Sequence, residues 1–235
     1  MKNQYFGDIG DYKKYSLLRT LSTQGQLKII VCWMLTEDDE RSDGKFVQYL
    51  SSPNLWRKYD EPVFDLLAQL VLSENSRRVH NLKQHNILPN TTFYSEILAD
   101  DRQARERYFD QLNPLAKQTD VVFFDPDNGL EVKSVQYGRR NSSKYIYWQE
   151  IVSTYEAGCS VLIYQHYPHE NRDDFINRQA NEILSRTAAP EVLSIRTPHS
   201  VYFFALQPQH RETVNACMET LTGRWGKHLQ ISKHT

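Results

Sequence analysis

The stretch Val121-Val122-Phe123-Phe124-Asp125-Pro126-Asp127-Asn128-Gly129-Leu130-Glu131-Val132 constrains the fold more than any other part of the chain. Four consecutive apolar residues without a charge describe a strand buried on both faces. They run straight into an acidic turn broken by Pro126 and Gly129. A doubly buried strand needs helices above and below it. In open α/β sheets the rim beyond the carboxyl ends of the strands is where ligands bind, so carboxylates are expected on a binding edge.

Two other segments repeat the arrangement. Residues 28–35 (Lys-Ile-Ile-Val-Cys-Trp-Met-Leu) empty into Thr36-Glu37-Asp38-Asp39-Glu40-Arg41-Ser42-Asp43-Gly44, and residues 160–164 (Ser-Val-Leu-Ile-Tyr) into Gln165-His166-Tyr167-Pro168-His169-Glu170. Helical patterns cover 11–21, 99–112, 145–155, 175–186 and 212–221, with an interrupted one over 46–72 where Pro53 and Pro62 start new segments. Residues 78–82 and 91–98 read as short strands, and 192–195 with 201–206 as an antiparallel hairpin around the turn Arg196-Thr197-Pro198-His199-Ser200. This alternation predicts one Rossmann-like α/β domain over 1–235. Its three αβα layers hold a mostly parallel central sheet, an antiparallel C-terminal hairpin and a small helical insert at about 46–75.

Composition narrows the function classes. A net charge of −1 and a pI near 6.7 exclude a globally basic nucleic-acid coat, so a nucleic-acid partner requires a local patch. The basic loop Tyr137-Gly138-Arg139-Arg140-Asn141-Ser142-Ser143-Lys144-Tyr145 is the candidate: backbone N–H groups at a helix start, joined by Arg139, Arg140 and Lys144, favour phosphate. An exposed loop in which Ser142 or Ser143 caps the following helix explains the same residues. Cys32, Cys159 and Cys217 are odd in number and far apart, which suggests neither a disulfide framework nor a thiolate zinc site. With no apolar leader and no membrane-spanning run, a soluble cytoplasmic protein is expected.

The remaining candidates are local. In Gly7-Asp8-Ile9-Gly10-Asp11-Tyr12-Lys13-Lys14, Asp11 is a plausible helix N-cap, while Lys13 and Lys14 read as solvated helix charges. Two turns with capping carboxylates explain the glycines and acids as well as a functional loop does. His166 suits substrate recognition or proton exchange because imidazole titrates near neutrality. His166, His169 and Glu170 are a weak metal set, Pro168 intervening, and no metal is assigned.

A resemblance can be named on these residues. The opening Gly7-Asp8-Ile9-Gly10-Asp11-Tyr12-Lys13-Lys14-Tyr15, then a helix, a buried strand, a helical insert and Asp125-Pro126 at a later strand end, resembles the layout of the RlmJ-type ribosomal RNA adenine methyltransferases. Those enzymes use S-adenosylmethionine and a class I methyltransferase fold. Their N-terminal motif places Gly, Asn, Asp, Lys and His where this chain has Gly7, Asp8, Asp11, Lys14 and Tyr15. Two departures stand out: the glycine-containing cofactor loop is replaced by Met34-Leu35-Thr36-Glu37-Asp38-Asp39, and Asp-Pro-Pro-Tyr becomes Asp125-Pro126-Asp127-Asn128, without the ring that stacks on the base.

The resemblance implies transfer of a methyl group to an exocyclic amine of a nucleic-acid base. Asp125, Pro126, Asp127 and Lys14 are then catalytic; Gly7, Asp8, Asp11, Thr36 and Asp38 hold the cofactor; Asn128, Arg139, Arg140, Lys144 and His166 meet the substrate. The alternative is a magnesium-dependent nuclease or phosphodiesterase, because Asp125, Asp127, Glu131 and Lys133 loosely echo a carboxylate and lysine nuclease pattern. A third reading is a binding module that kept the fold without the chemistry.

Overall fold

The computed structural model describes residues 1–37 and 46–235. Asp38 and Asp39 lie outside the described residues. Helix α1 (Ile9–Thr23) leads into strand β1 (Ile29–Cys32). The insert follows, with a short helix Pro53–Trp56 and helix α2 (Glu61–Ala68), each opened by a proline in its first turn as the sequence predicts. Next come β2 (Thr91–Tyr94), α3 (Arg102–Ala116), β3 (Val121–Phe124), α4 (Trp148–Glu156), β4 (Ser160–His166), α5 (Arg172–Thr187), β5 (Glu191–Arg196), β6 (Ser200–Leu206), α6 (Arg211–Trp225) and β7 (Gln230–His234).

The sheet order is β2-β1-β3-β4-β6-β5-β7. The pairs β1–β2, β1–β3 and β3–β4 are parallel, whereas β6 runs antiparallel to both β4 and β5, and β7 antiparallel to β5. Register aligns the carboxyl ends: Cys32 pairs with Tyr94 and Phe124, and Phe124 with Ile163. Alternate strand residues feed two cores. Val31, Trp33, Phe123, Leu162 and Phe204 pack with α1, the insert and α6; Ile30, Cys32, Phe124, Ile163 and Phe203 pack with α3, α4 and α5. This is the three-layer architecture expected from uncharged strands.

Some local expectations give way to tertiary contacts. Residues 78–82 form no strand; a turn there runs into the short helix Asn81–Gln84. Arg105, on the charged helix read over 99–112, is fully buried on α3. It forks onto Glu150 at 2.6 and 2.8 Å, donates to the carbonyls of Ser142 and Tyr145, and lies 4.7 Å from the Tyr147 ring centroid. All three guanidinium nitrogens are thus engaged, which offsets much of the desolvation. Neither Ser142 nor Ser143 caps α4; Tyr147 and Glu150 form that cap. Strand β7 was not legible as a strand. All three cysteines are free and buried, and among the described residues no helix is long and apolar enough to cross a membrane.

Candidate functional site

From β1 the chain passes to β2 on one side, while β3 lies on the other, so the strand order reverses at the β1–β3 boundary. Crevices form at such switch points beyond the carboxyl ends. A cleft of about 460 Å³ opens there, bordered by Asp8, Asp11, Lys13 and Lys14 from the start of α1, Asp125 to Asn128 after β3, Tyr164 and His166 on β4, and Thr197, His199 and Ser200 from the β5–β6 turn. Its volume is that of a small-molecule site.

The first turn of α1 sets the acids. Asp8, not Asp11, is the N-cap: its carboxylate accepts from the Asp11 N–H at 2.9 Å. Asp11 is thereby free to accept from the Gly7 N–H (3.1 Å), the Tyr15 hydroxyl (2.8 Å) and Lys14 Nζ (2.9 Å). Gly7 itself lies behind the cleft wall, with φ +82° and Val71 where a Cβ would go. A glycine is required at that position.

Lys14 joins the two ends of the site. Its ammonium is 2.7 Å from Asp125 Oδ2 and lies 5.1 Å from the Tyr164 ring centroid and 5.9 Å from that of Trp33. Burial alone would lower its pKa, but the Asp11 and Asp125 carboxylates outweigh it and hold the group well above its ordinary value. Burial raises the Asp125 carboxyl, an effect that Lys14 only partly offsets. Lys13 is also buried and borders the cleft, and desolvation lowers it. The expectation of two solvated lysines fails because α1 is covered on several sides: Tyr12 meets Asp60 of the insert, Ser16 accepts from Trp225 Nε1 on α6, and Lys14 meets β3.

The 125–130 turn is built from ties the sequence did not reveal. Asp125 N donates to the Cys32 carbonyl and Asn128 N to the Lys144 carbonyl. The Gln165 amide accepts from Leu130 N and donates to the Asn128 carbonyl, occupying the space a Cβ on Gly129 (φ +121°) would need. Asp127 receives the Thr36 hydroxyl at 3.0 Å and faces the Met1 ammonium at 2.7 Å. Burial would raise Asp127, but those two donors keep it below the usual carboxylate value. Asp125 Oδ1 and the Pro126 carbonyl accept no hydrogen bond among the described residues.

Two further groups are shifted by their surroundings. Burial and the Asp11 carboxylate push the Asp8 carboxyl up to about 7. His166 is lowered by desolvation and by the Lys14 ammonium, and its Nε2 lies 3.3 Å from the Tyr164 hydroxyl.

The structure thus brings together Asp8, Asp11, Lys14, Asp125, Pro126, Asp127, Asn128 and His166, with Thr36 bound to Asp127. It does not bring the basic loop with them. Arg139 and Arg140 are exposed, and Lys144 reaches the turn through its carbonyl. The N–H groups expected to hold phosphate are taken by the chain's own Asp100, which accepts from Asn141 N at 2.7 Å and Ser143 N at 2.9 Å. Glu131 Oε2 accepts from Trp148 N at the start of α4, and Glu170 is clamped by Arg178. Phe46, Lys13, Tyr164, Thr197, His199 and Ser200 were missed. The hairpin had a usable signal: if its first strand runs parallel to the sheet, its turn must fall on the ligand rim.

Fold and cleft together define a doubly wound α/β protein with a polar site at its switch point. No protein-family model and no curated protein matches the chain. Among solved structures it is similar to the crystal structure of protein LPL1258 from Legionella pneumophila str. Philadelphia 1, described under the family DUF519. The identity is 12% over 98% of this chain and 97% of that one, with a TM-score of 0.46.

Proposed function

We propose that the protein is a methyltransferase-like enzyme that transfers a methyl group from S-adenosylmethionine to an exocyclic amine of a nucleic-acid base. The observation that carries the reading is the pair of acceptors at the switch point, Asp125 Oδ1 and the Pro126 carbonyl, on adjacent residues of one rigid turn. An amine that donates to both has its lone pair turned away from them. Holding that direction is the main catalytic need, because the leaving group is already activated. Lys14 fixes the Asp125 carboxylate through Oδ2.

Two observations fit the cofactor. Bound S-adenosylmethionine would supply an activated methyl on a cationic sulfonium, and four carboxyl groups, Asp8, Asp11, Asp125 and Asp127, border the cleft together with Lys13, Lys14 and the Met1 ammonium. The glycine missing after β1 is replaced in conformation: Met34 takes φ +46°, the left-handed turn a glycine would otherwise make. Thr36 and Asp127 are the described residues suited to its hydroxyl and amine groups. In the transfer the amine nitrogen would take the methyl carbon as the carbon–sulfur bond breaks to leave a neutral thioether, and the nitrogen would shed a proton. Asp8 borders the same cleft, and a carboxyl raised to about 7 suits it to take that proton.

Magnesium-dependent phosphodiester cleavage ranks second, because Glu131 is tied to the Trp148 N–H and the Lys14 ammonium against Asp125 opposes a divalent cation there. The test is calorimetry with S-adenosylmethionine, followed by transfer of labelled methyl to adenine-containing oligonucleotides, in wild type and Asp125→Ala. Binding and transfer that are both lost in the variant are expected. No heat at millimolar cofactor sinks the reading, and magnesium-dependent cleavage lost in Asp127→Ala and Glu131→Ala would replace it.

A further inference from the structure

The turn after Asp125-Pro126 carries Asp127 and Asn128, so it has no ring on which a base can stack. Aromatic surface at the cleft mouth comes from elsewhere. Phe46 is 71% exposed, unusual for a phenyl ring with a wall of the cleft beside it. Its carbonyl accepts from Ile9 N at 3.1 Å, which ties its backbone to the turn that carries Asp8, Asp11 and Lys14. His199 sits at the tip of the β5–β6 hairpin, in a turn locked by Thr197 N to the Ser200 carbonyl (2.8 Å) and Ser200 N to Thr197 Oγ1 (3.0 Å). The two rings have centroids 6.4 Å apart and planes only 10° from parallel.

We propose that Phe46 and His199 form the stacking platform for the target base of a single-stranded nucleic acid. The inference rests on the methyl-transfer reading of the same cleft. Two segments far apart in sequence, each tied by hydrogen bonds of its backbone, deliver nearly parallel rings to the cleft that Asp125 and Pro126 also line. A base lying against the rings presents its edge, and so its exocyclic amine, toward the interior. An unpaired strand fits better than a free nucleotide, because His199 also borders a second depression lined by Tyr167, Pro168, His169, Glu170 and Arg172. There the Arg172 guanidinium lies 4.6 Å from the Tyr167 ring centroid and Glu170 is paired with Arg178, so a neighbouring nucleotide meets the guanidinium backed by the ring.

The experiment is fluorescence anisotropy with a labelled short oligoadenylate and its abasic counterpart, at one fixed salt concentration because phosphate contacts are salt-dependent. Wild type, Phe46→Ala, Phe46→Trp and His199→Ala are compared, with calorimetry of S-adenosylmethionine on each. Loss of a stacking ring weakens oligoadenylate binding by roughly 5- to 100-fold in Phe46→Ala and His199→Ala. Phe46→Trp retains binding, the abasic strand binds weakly to all, and the cofactor heat is unchanged. Oligoadenylate affinity unaltered by both alanine variants, equal binding of the abasic strand, or no wild-type binding of any single strand overturns the platform. Cofactor heat together with ring-independent binding removes the platform alone. Ring-dependent binding without cofactor heat removes the methyl-transfer reading and leaves the platform standing.

Discussion

Replacing Lys14 by methionine probes the centre of the site, and the expected size follows from its neighbours. One buried ammonium serves two buried carboxylates, at 2.9 Å (Asp11) and 2.7 Å (Asp125). Removing it leaves two buried acids without the ammonium they share, which costs about 3–5 kcal/mol for a buried pair broken from one side. With a slope of roughly 3 kcal/mol per M urea, the unfolding midpoint falls by about 1–1.7 M. Asp125→Asn is the contrasting variant: Lys14 keeps Asp11, the amide oxygen still accepts, and a carboxylate that burial disfavours is gone, so its cost is about 1 kcal/mol or less.

The pH dependence has a definite sign. The Asp125 carboxyl is raised in the folded protein, so its contribution is fully present below the unfolded pKa of 3.8 and is lost as pH rises through the folded value. Without Lys14 that value rises further, and the deficit of Lys14→Met narrows as the urea titration is moved from pH 7.5 toward 5. A Lys14→Met protein within about 1 kcal/mol of wild type at pH 7.5, or an Asp125→Asn protein that loses as much, would refute the reasoning.

Three other outcomes are expected. Arg105→Met strands Glu150 in the core and lowers the melting temperature by about 6–20 °C, measured by calorimetry; a change below about 2 °C contradicts the fully bonded pair. Gly129→Ala forces a side chain into φ +121° against the Gln165 amide and destabilises by about 2 kcal/mol or more in urea unfolding, whereas the same change at the open Gly223 does not. Asp8→Asn keeps the N-cap but removes a carboxyl raised to about 7, whose stabilising contribution is present below 3.8 and lost as pH rises through 7. The variant gains on wild type between pH 4 and 8, and parallel stability profiles would contradict that assignment.

What could be read beforehand follows a physical division. Uncharged runs such as Val121 to Phe124, short and closed by Pro126 and Gly129, read as doubly buried strands, so the layers, the sheet and its acid-bearing rim follow from local sequence. Lys13, Lys14 and Arg105 could not be placed that way. A cation on a helix looks solvated until a partner distant in sequence is found, and Asp125 and Glu150 lie far from Lys14 and Arg105 in the chain. The 137–145 loop fails for the same reason: its free N–H groups suggest an external anion, but Asp100 already fills them. Asp8 and Asp11 exchange roles because capping depends on where the helix actually begins, a boundary that periodicity fixes only loosely. Phe46 and His199 meet only through tertiary structure.

Strand β6 enters the sheet between β4 and β5, although it is made after both. On a growing chain, β4 therefore waits with one edge unpaired until residues 200–206 emerge, and the hairpin that carries His199 cannot take its place before then. An unpaired central edge invites pairing with other chains. Synthesis slowed near residue 190 should accordingly favour aggregation, and the cleft, despite opening on helix α1, is among the last parts of the molecule to assemble.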